Sequence, residues 1–134
     1  MRDFTRQAAA LFARFASKHG LTYVEGNAPV ELLWEFPVQS KLTHRIVLCL
    51  QNNDELNFGV GGFWSYFFPF EDKHVEFEKV IDKWVEGNAR IVSRAGVLIQ
   101  TLELQVLENG HWNTAYAAKS LALRKPPSVT LTNV

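Results

Sequence analysis

The sequence predicts an α+β domain, with a single antiparallel curved sheet and two amphipathic helices packed on one face of it. Two patterns support this prediction. In two segments, apolar residues recur every three or four positions, as in a helix that buries one side. Elsewhere, apolar and polar residues alternate in short runs bounded by turn residues, as in strands. Short connections between successive strands favour antiparallel pairing. The 134 residues are expected to form one domain, 1–134, with a loosely held tail from about residue 125.

The first helix is predicted to follow Asp3, whose carboxylate can accept hydrogen bonds at a helix N-terminus, and to end at Gly20, which suits a left-handed stop. Its apolar positions are Phe4, Ala8, Leu11, Phe12 and Phe15. From Leu21 the apolar period changes to two. This change predicts strands at 21–23, 30–36, 44–51 and 56–60, with the turns EGNAP and NNDE between them.

Pro69 ends the next strand, and a helical period returns until Gly87. The apolar residues of this second helix are Val75, Phe77, Val80, Ile81, Trp84 and Val85. Further strands are predicted at 89–94, 97–107 and 112 to about 123. Asn109 and Gly110 between the last two are typical of a hairpin turn, because both residues tolerate a positive φ. The tail RKPPSVTLTNV is expected to be either loosely held or an edge segment.

Composition limits the expected partners and compartment. Formal net charge is zero and the sequence pI is about 6.9, so no global field favours nucleic acid. A neutral surface also opposes self-association only weakly. No stretch approaches the roughly 20 apolar residues of a membrane span, and the one cysteine has no intrachain partner. We expect a cytoplasmic protein that binds neither nucleic acid nor membrane and needs no cofactor.

The stretch GVGGFWSYFFPF, residues 59–70, combines three glycines with a run of aromatic residues. A dinucleotide-binding loop needs a third glycine three positions after the second, but Trp64 stands there. A P-loop needs a lysine followed by serine or threonine, which is also missing. The sequence therefore favours a packing element, in which glycines permit a bend and let bulky neighbours lie across the backbone.

The strand after these glycines has aromatic residues on both faces. Phe63, Ser65 and Phe67 are predicted to point one way, and Trp64, Tyr66 and Phe68 the other. Three interpretations remain open for the second face: it is covered by the chain's own loops and tail, it binds protein, or it frames an apolar ligand pocket. The predicted binding residues, for an interface or a pocket, are Phe63, Trp64, Tyr66 and Phe68.

No polar cluster matches a catalytic signature, and we predict no catalytic residue. Glu71, His74 and Glu78 share one helix face, but catalytic metal helices usually present two histidines, so a solvated face is favoured and no metal is expected. Cys49 and His44 fall on opposite sides of a predicted strand, which argues against a thiolate–imidazolium pair.

Arginine and tryptophan side chains are assigned by their place in these patterns. Arg90 and Arg94 share one side of a strand, and Arg45 is expected to neighbour them, as a solvated strand face rather than an anion site. Each of three tryptophans is predicted to be core: Trp34, Trp84 and Trp112.

The order helix, strands, helix, strands is similar to that of bacterial type III secretion chaperones, which as a family dimerise and bind partially unfolded effectors. The similarity covers element order alone; those proteins are typically acidic and end in a third helix, whereas this chain is neutral and ends in a proline-containing tail.

The leading hypothesis is a non-enzymatic module that binds protein, as a homodimer or with another partner, through the aromatic sheet face around Trp64 and Tyr66. The alternative is a small-molecule-binding protein or an enzyme with an apolar pocket between sheet and helices, near His44, Arg45 and His111. A small apolar ligand is the expected occupant of such a pocket.

Overall fold

The chain forms two helices and nine strands in a computed structural model that describes residues 3–27, 29–95, 99–121 and 129–133. The α+β class and the antiparallel pairing are therefore confirmed. In chain order the elements are α1 Thr5–His19, β1 Val24–Glu25, β2 Leu32–Phe36, β3 Ile46–Gln51, β4 Glu55–Val60, β5 Phe63–Phe67, α2 Phe70–Val85, β6 Ala89–Ala95, β7 Ile99–Glu108, β8 His111–Leu121 and β9 Val129–Thr132.

The prediction of a single curved sheet is wrong, because the described strands form two sheets. The first sheet has the order β1-β2-β3-β4-β5, and the second has the order β8-β7-β6-β9. The edges of β5 and β8 come close, but side chains rather than ladder hydrogen bonds join them. The ring of Tyr116 in β8 lies 5.9 Å from that of Phe63, 6.2 Å from Tyr66 and 6.3 Å from Phe67, between ring centroids. This aromatic contact takes the place of a β5–β8 ladder.

Both helices pack on the same face of the first sheet, as predicted. Edge-to-face aromatic contacts join α1 to β2: Phe12 lies 5.5 Å from Trp34, and Phe15 lies 5.4 Å from Phe36. Such offset geometries suit the ring quadrupoles. At the start of α1, Asp3 Oδ1 accepts a 2.9 Å hydrogen bond from the Thr5 N–H. At the other end, Gly20 has a φ of 63°, the left-handed stop that the sequence predicts.

Helix α2 contacts both sheets and so holds them together. Trp84 and Phe77 are fully buried, and their rings lie 5.6 Å from Phe58 and 5.3 Å from Phe67 of the first sheet. On the other side, Lys83 Nζ donates a 2.8 Å hydrogen bond to a main-chain oxygen of β7. The main hydrophobic core therefore lies between α2, α1 and the two sheets.

Several element boundaries differ from those predicted. β1 begins at Val24, because Leu21 is buried in the core instead of pairing with β2. The hairpin at Asn109 and Gly110 is confirmed, with φ values of 52° and 79°. Positions 96–98, at the predicted turn and strand start, and positions 122–123 lie outside the described residues. Residues 129–132 of the tail form an edge strand that pairs with β6. This part of the tail is therefore the edge segment that is one of its two predicted states.

Asn133 holds the end of the chain by hydrogen bonds that no sequence pattern indicates. Its amide oxygen accepts from the Thr43 N–H at 2.8 Å. Its amide nitrogen donates to the carbonyl oxygens of Lys41, at 2.8 Å, and of Val85 at the end of α2, at 3.1 Å. One side chain therefore fixes the tail, a loop and a helix terminus together.

Replacing Asn133 by alanine is expected to lower the free energy of unfolding by about 1–3 kcal/mol, because three main-chain groups lose their partner. Urea unfolding followed by circular dichroism measures this loss. Thr130→Ala is a matched control, since Thr130 is an exposed residue of the same terminal strand and should cost less than about 0.5 kcal/mol. Equal losses in the two variants would show that Asn133 anchors nothing.

Candidate functional site

The candidate site lies on the outer face of the first sheet, which is the face opposite the helices. Strand alternation and register place on it, from β2 to β5, the residues Leu33, Glu35, Val47, Cys49, Gln51, Glu55, Asn57, Gly59, Trp64 and Tyr66. Neither helix covers this face, because the contacts of both helices are with the buried residues of the inner face.

Trp64 lies flat across Gly59, its neighbour in the β4–β5 ladder. A β-carbon at position 59 would come within 2.5 Å and 2.7 Å of two ring carbons of Trp64, which is closer than atoms can pack. The indole therefore occupies the space that any other residue at 59 would fill. Glycine in this strand permits a close approach of an aromatic ring to bare backbone, as the packing interpretation of GVGG predicts.

The aromatic residues of β5 and the position after it divide between two environments. Tyr66 is 47% exposed and Phe68 is 58% exposed, while Trp64 is half-buried. Phe63 is buried on the other side of the strand, where it contacts Tyr116. Of the four predicted binding residues, the structure thus places Trp64 and Tyr66 on the outer face, leaves Phe68 exposed just beyond it, and separates Phe63 from them.

A small pit of about 140 Å³ opens beside the Trp64 ring. Val47 and Gly59 form part of its lining, with Arg45 also at the pit. The guanidinium of Arg45 is held by Glu35, with a 2.6 Å separation between Nη2 and Oε1. A pit of this size beside a rigid aromatic ring is suited to receive one side chain of a binding partner.

The centre of the outer face carries a buried polar residue, Asn57, which is 0% exposed. Its amide nitrogen donates to Glu55 Oε2 at 3.0 Å and to the Ser65 carbonyl oxygen at 3.3 Å. Its amide oxygen is buried and has no hydrogen-bond partner in the described chain. A buried polar atom without a partner is destabilising.

Cys49 lies next to Asn57 on the neighbouring strand and is 3% exposed. Burial, with smaller contributions from the carboxylates of Glu31 and Glu55, raises the pKa of its thiol to about 11. The thiol is therefore protonated at neutral pH and is a weak nucleophile. This environment supports a packing role for Cys49.

Acidic side chains of α2 form ion pairs with α1. Glu78 accepts from Arg14 at 2.7 Å, and Asp82 contacts both Lys18 at 2.9 Å and His19 at 2.7 Å. Within the described ranges, no group of three or more histidine, cysteine, aspartate or glutamate side chains could hold a metal ion. These pairs join the two helices. The Arg14 and Lys18 side chains are more than half exposed, and exposed pairs contribute little stability, whereas His19 and Asp82 are mostly buried.

Two predictions for the second sheet need correction. Arg45 does not neighbour Arg90 and Arg94: it lies beside the first sheet, where its partner is Glu35. Trp112 is half-buried rather than core. Arg90 lies over its ring, 4.0 Å from the centroid. The apolar ring of Trp112 is thus shielded by a cation on the sheet surface. Trp34 and Trp84 are core, as predicted.

Comparisons with family models, with curated proteins and with solved structures find no match to this chain. In the part of the chain that the structure describes, no helix combines the length and the apolar character needed to cross a membrane.

Proposed function

We propose that the protein is a non-enzymatic module that self-associates through the outer face of the first sheet, with Trp64 and Tyr66 at the centre of the interface. One observation carries the proposal: the Trp64 ring is held flat on Gly59, next to the exposed Tyr66 ring, on a face that both helices leave open. Phe68 adds a second exposed aromatic side chain at the rim.

The physical case rests on the energetics of rigid aromatic side chains. Tryptophan and tyrosine are enriched among the residues that contribute most to binding, because they bury much area at a low cost in conformational entropy. Gly59 restricts the Trp64 ring before any partner binds, and such preorganisation reduces the entropy lost on association. The pit beside the ring supplies a matching recess for a partner's side chain.

A second copy of this chain is the proposed partner. The net charge of zero removes the long-range repulsion that opposes association of identical molecules. The charges at the Trp64 pit are also balanced, since Arg45 is paired with Glu35. A two-fold dimer presents the same face from both subunits, so each Trp64 ring and each pit would be available to its counterpart.

Trp64→Ala tests the proposal. It is expected to raise the dimer dissociation constant by about 30-fold or more. This change corresponds to a loss of about 2 kcal/mol in binding free energy, which is typical of truncating a dominant interface residue. Sedimentation equilibrium measures the constant, and circular dichroism checks that the fold is unchanged. Val75→Ala is the matched control, because Val75 is an apolar residue of α2 that is 69% exposed and away from this face. Unchanged association in a folded Trp64→Ala variant would exclude the proposal. Binding of a different protein to this face, without dimer formation, would show that the partner is not a second copy of this chain.

The alternative of a pocket between sheet and helices has less support. Fully buried side chains occupy that space, among them Phe12, Phe36, Phe58 and Phe77. Two of the polar residues expected beside such a pocket lie elsewhere: Arg45 is paired with Glu35 next to the outer face, and His111 is exposed at the start of β8.

A further inference from the structure

A separate groove, the inter-sheet groove, lies between the β4–β5 turn and the second sheet. Its volume is about 460 Å³, within the range of about 300–1,000 Å³ that is usual for small-molecule sites. The lining comes from five strands and one turn of the chain: Val60, Gly61, Gly62, Phe63, Ile91, Ser93, Gln100, Leu102 and Leu131. It adjoins the Trp64 pit, with which it shares Val60, Gly61 and Phe63, but its proposed ligand does not depend on the function proposed above.

The turn at one end of the groove is held close to β9 by a glycine. Gly61 has a φ of 59°, and a β-carbon there would lie 3.2 Å from Leu131 Cδ2. Glycine adopts this left-handed conformation at no steric cost and leaves room for the leucine. Three of the apolar wall residues are buried, since Val60, Phe63 and Ile91 are each at most 5% exposed. The groove is therefore built from side chains anchored in the core.

Two polar side chains interrupt the apolar lining. Gln100 Nε2 donates a 2.7 Å hydrogen bond to Ser93 Oγ, and Ser93 is 4% exposed. Among the described residues, this bond leaves the Ser93 hydroxyl hydrogen and the Gln100 amide oxygen without a further side-chain hydrogen bond. A nearly buried donor and a nearby acceptor are thus available at one place in an otherwise apolar groove. A ligand group that both accepts and donates would satisfy them.

We propose that the inter-sheet groove binds a small, uncharged, mostly apolar molecule that carries one hydroxyl or carboxamide group. The apolar walls contact the hydrocarbon part of the ligand, and Ser93 and Gln100 form hydrogen bonds with its polar group. Among the described residues that line the groove there is no lysine, arginine, histidine, aspartate or glutamate. Because an unpaired charge is costly to bury, this lining disfavours a carboxylate or an ammonium group.

Octan-1-ol is the probe, and octanoate is its charged counterpart of equal chain length. Titration of each into the ¹⁵N-labelled full chain, followed by amide chemical shifts, should show saturable shifts for octan-1-ol at Ile91, Leu102 and Leu131. Octanoate should bind at least tenfold more weakly. Ser93→Ala should weaken octan-1-ol binding about two- to tenfold, the effect of one net hydrogen bond.

Thr101→Ala is the matched control, because Thr101 precedes Leu102 and lies on the opposite face of β7. The affinity of the Thr101→Ala variant for octan-1-ol should equal that of the unaltered chain. Three results would overturn the proposal: no saturable shift with octan-1-ol, equal binding of octanoate, or shifts centred on Trp64 and Tyr66 instead of the groove. The last result would assign the apolar probe to the outer face.

Discussion

Trp84→Ala is expected to lower the free energy of unfolding by about 3–5 kcal/mol, the largest stability effect of any single change described for this chain. Trp84 is fully buried on α2 and contacts Phe58 of the first sheet. The helix that carries it also packs on the second sheet through Lys83 and the β7 backbone. Truncation would leave a large cavity at the place where α2 joins the two sheets.

Trp84→Phe separates the packing of the ring from its polar group. The indole nitrogen of Trp84 is buried without a hydrogen-bond partner in the described chain, so removing it relieves an unsatisfied donor while the smaller ring retains most of the contacts. We expect a loss of less than about 1.5 kcal/mol. Urea unfolding at one fixed protein concentration measures both variants. Equal losses for the alanine and phenylalanine variants would contradict this description of Trp84.

Gly59→Ala is expected to lower the free energy of unfolding by about 1–3 kcal/mol, because it inserts a methyl group into space that is already filled. The new methyl group would lie 2.5 Å from the nearest carbon of the Trp64 ring, so the ring must move away from the sheet. The displaced indole becomes more solvated, and its fluorescence emission should shift to longer wavelength. Association should weaken too, because Trp64 then loses its fixed position.

The sign of the Gly59→Ala effect should reverse once the tryptophan is absent. In a Trp64→Ala background the methyl group meets no ring, and alanine restricts the unfolded chain more than glycine does. The same substitution should then stabilise the protein by up to about 1 kcal/mol. A double-mutant cycle from urea unfolding measures this coupling. A similar cost in both backgrounds would show that Gly59 is required for another reason.

The helices and most strands follow from local patterns, and so they could be predicted. The apolar period sets α1 and α2, Gly20 ends the first helix, and Asn109 with Gly110 forms the hairpin between β7 and β8. Each of these signals depends on residues that are neighbours in sequence. The local sequence is sufficient to predict these elements, because the native conformation of each agrees with the preferences of its own residues.

The division into two sheets could not be predicted, because it depends on contacts between distant residues. Tyr116 meets the edge of β5 some fifty positions away in sequence, and alternation in β8 alone does not indicate that contact. The anchoring by Asn133 is of the same kind. The expectation that Arg45 neighbours Arg90 and Arg94 depends on one continuous sheet, whereas the described strands form two sheets.

The candidate site was predictable in part. A period of two assigns Trp64 and Tyr66 to one face and Phe63 to the other, and the structure agrees. The sequence also indicates that glycines accompany packed aromatic rings. It does not show that Gly59, rather than Gly61, lies beneath Trp64, because this pairing depends on the β4–β5 register. The inter-sheet groove needs the relative position of the two sheets and has no local signal.

The central claim is that the outer face of the first sheet joins two copies of the chain. Native mass spectrometry of the full chain across a dilution series tests it most directly, since each spectrum reports the number of subunits and any retained ligand mass. We expect a dimer at high concentration that dissociates on dilution, and a shift of this transition to higher concentration for Trp64→Ala. A monomer at every concentration would contradict the claim.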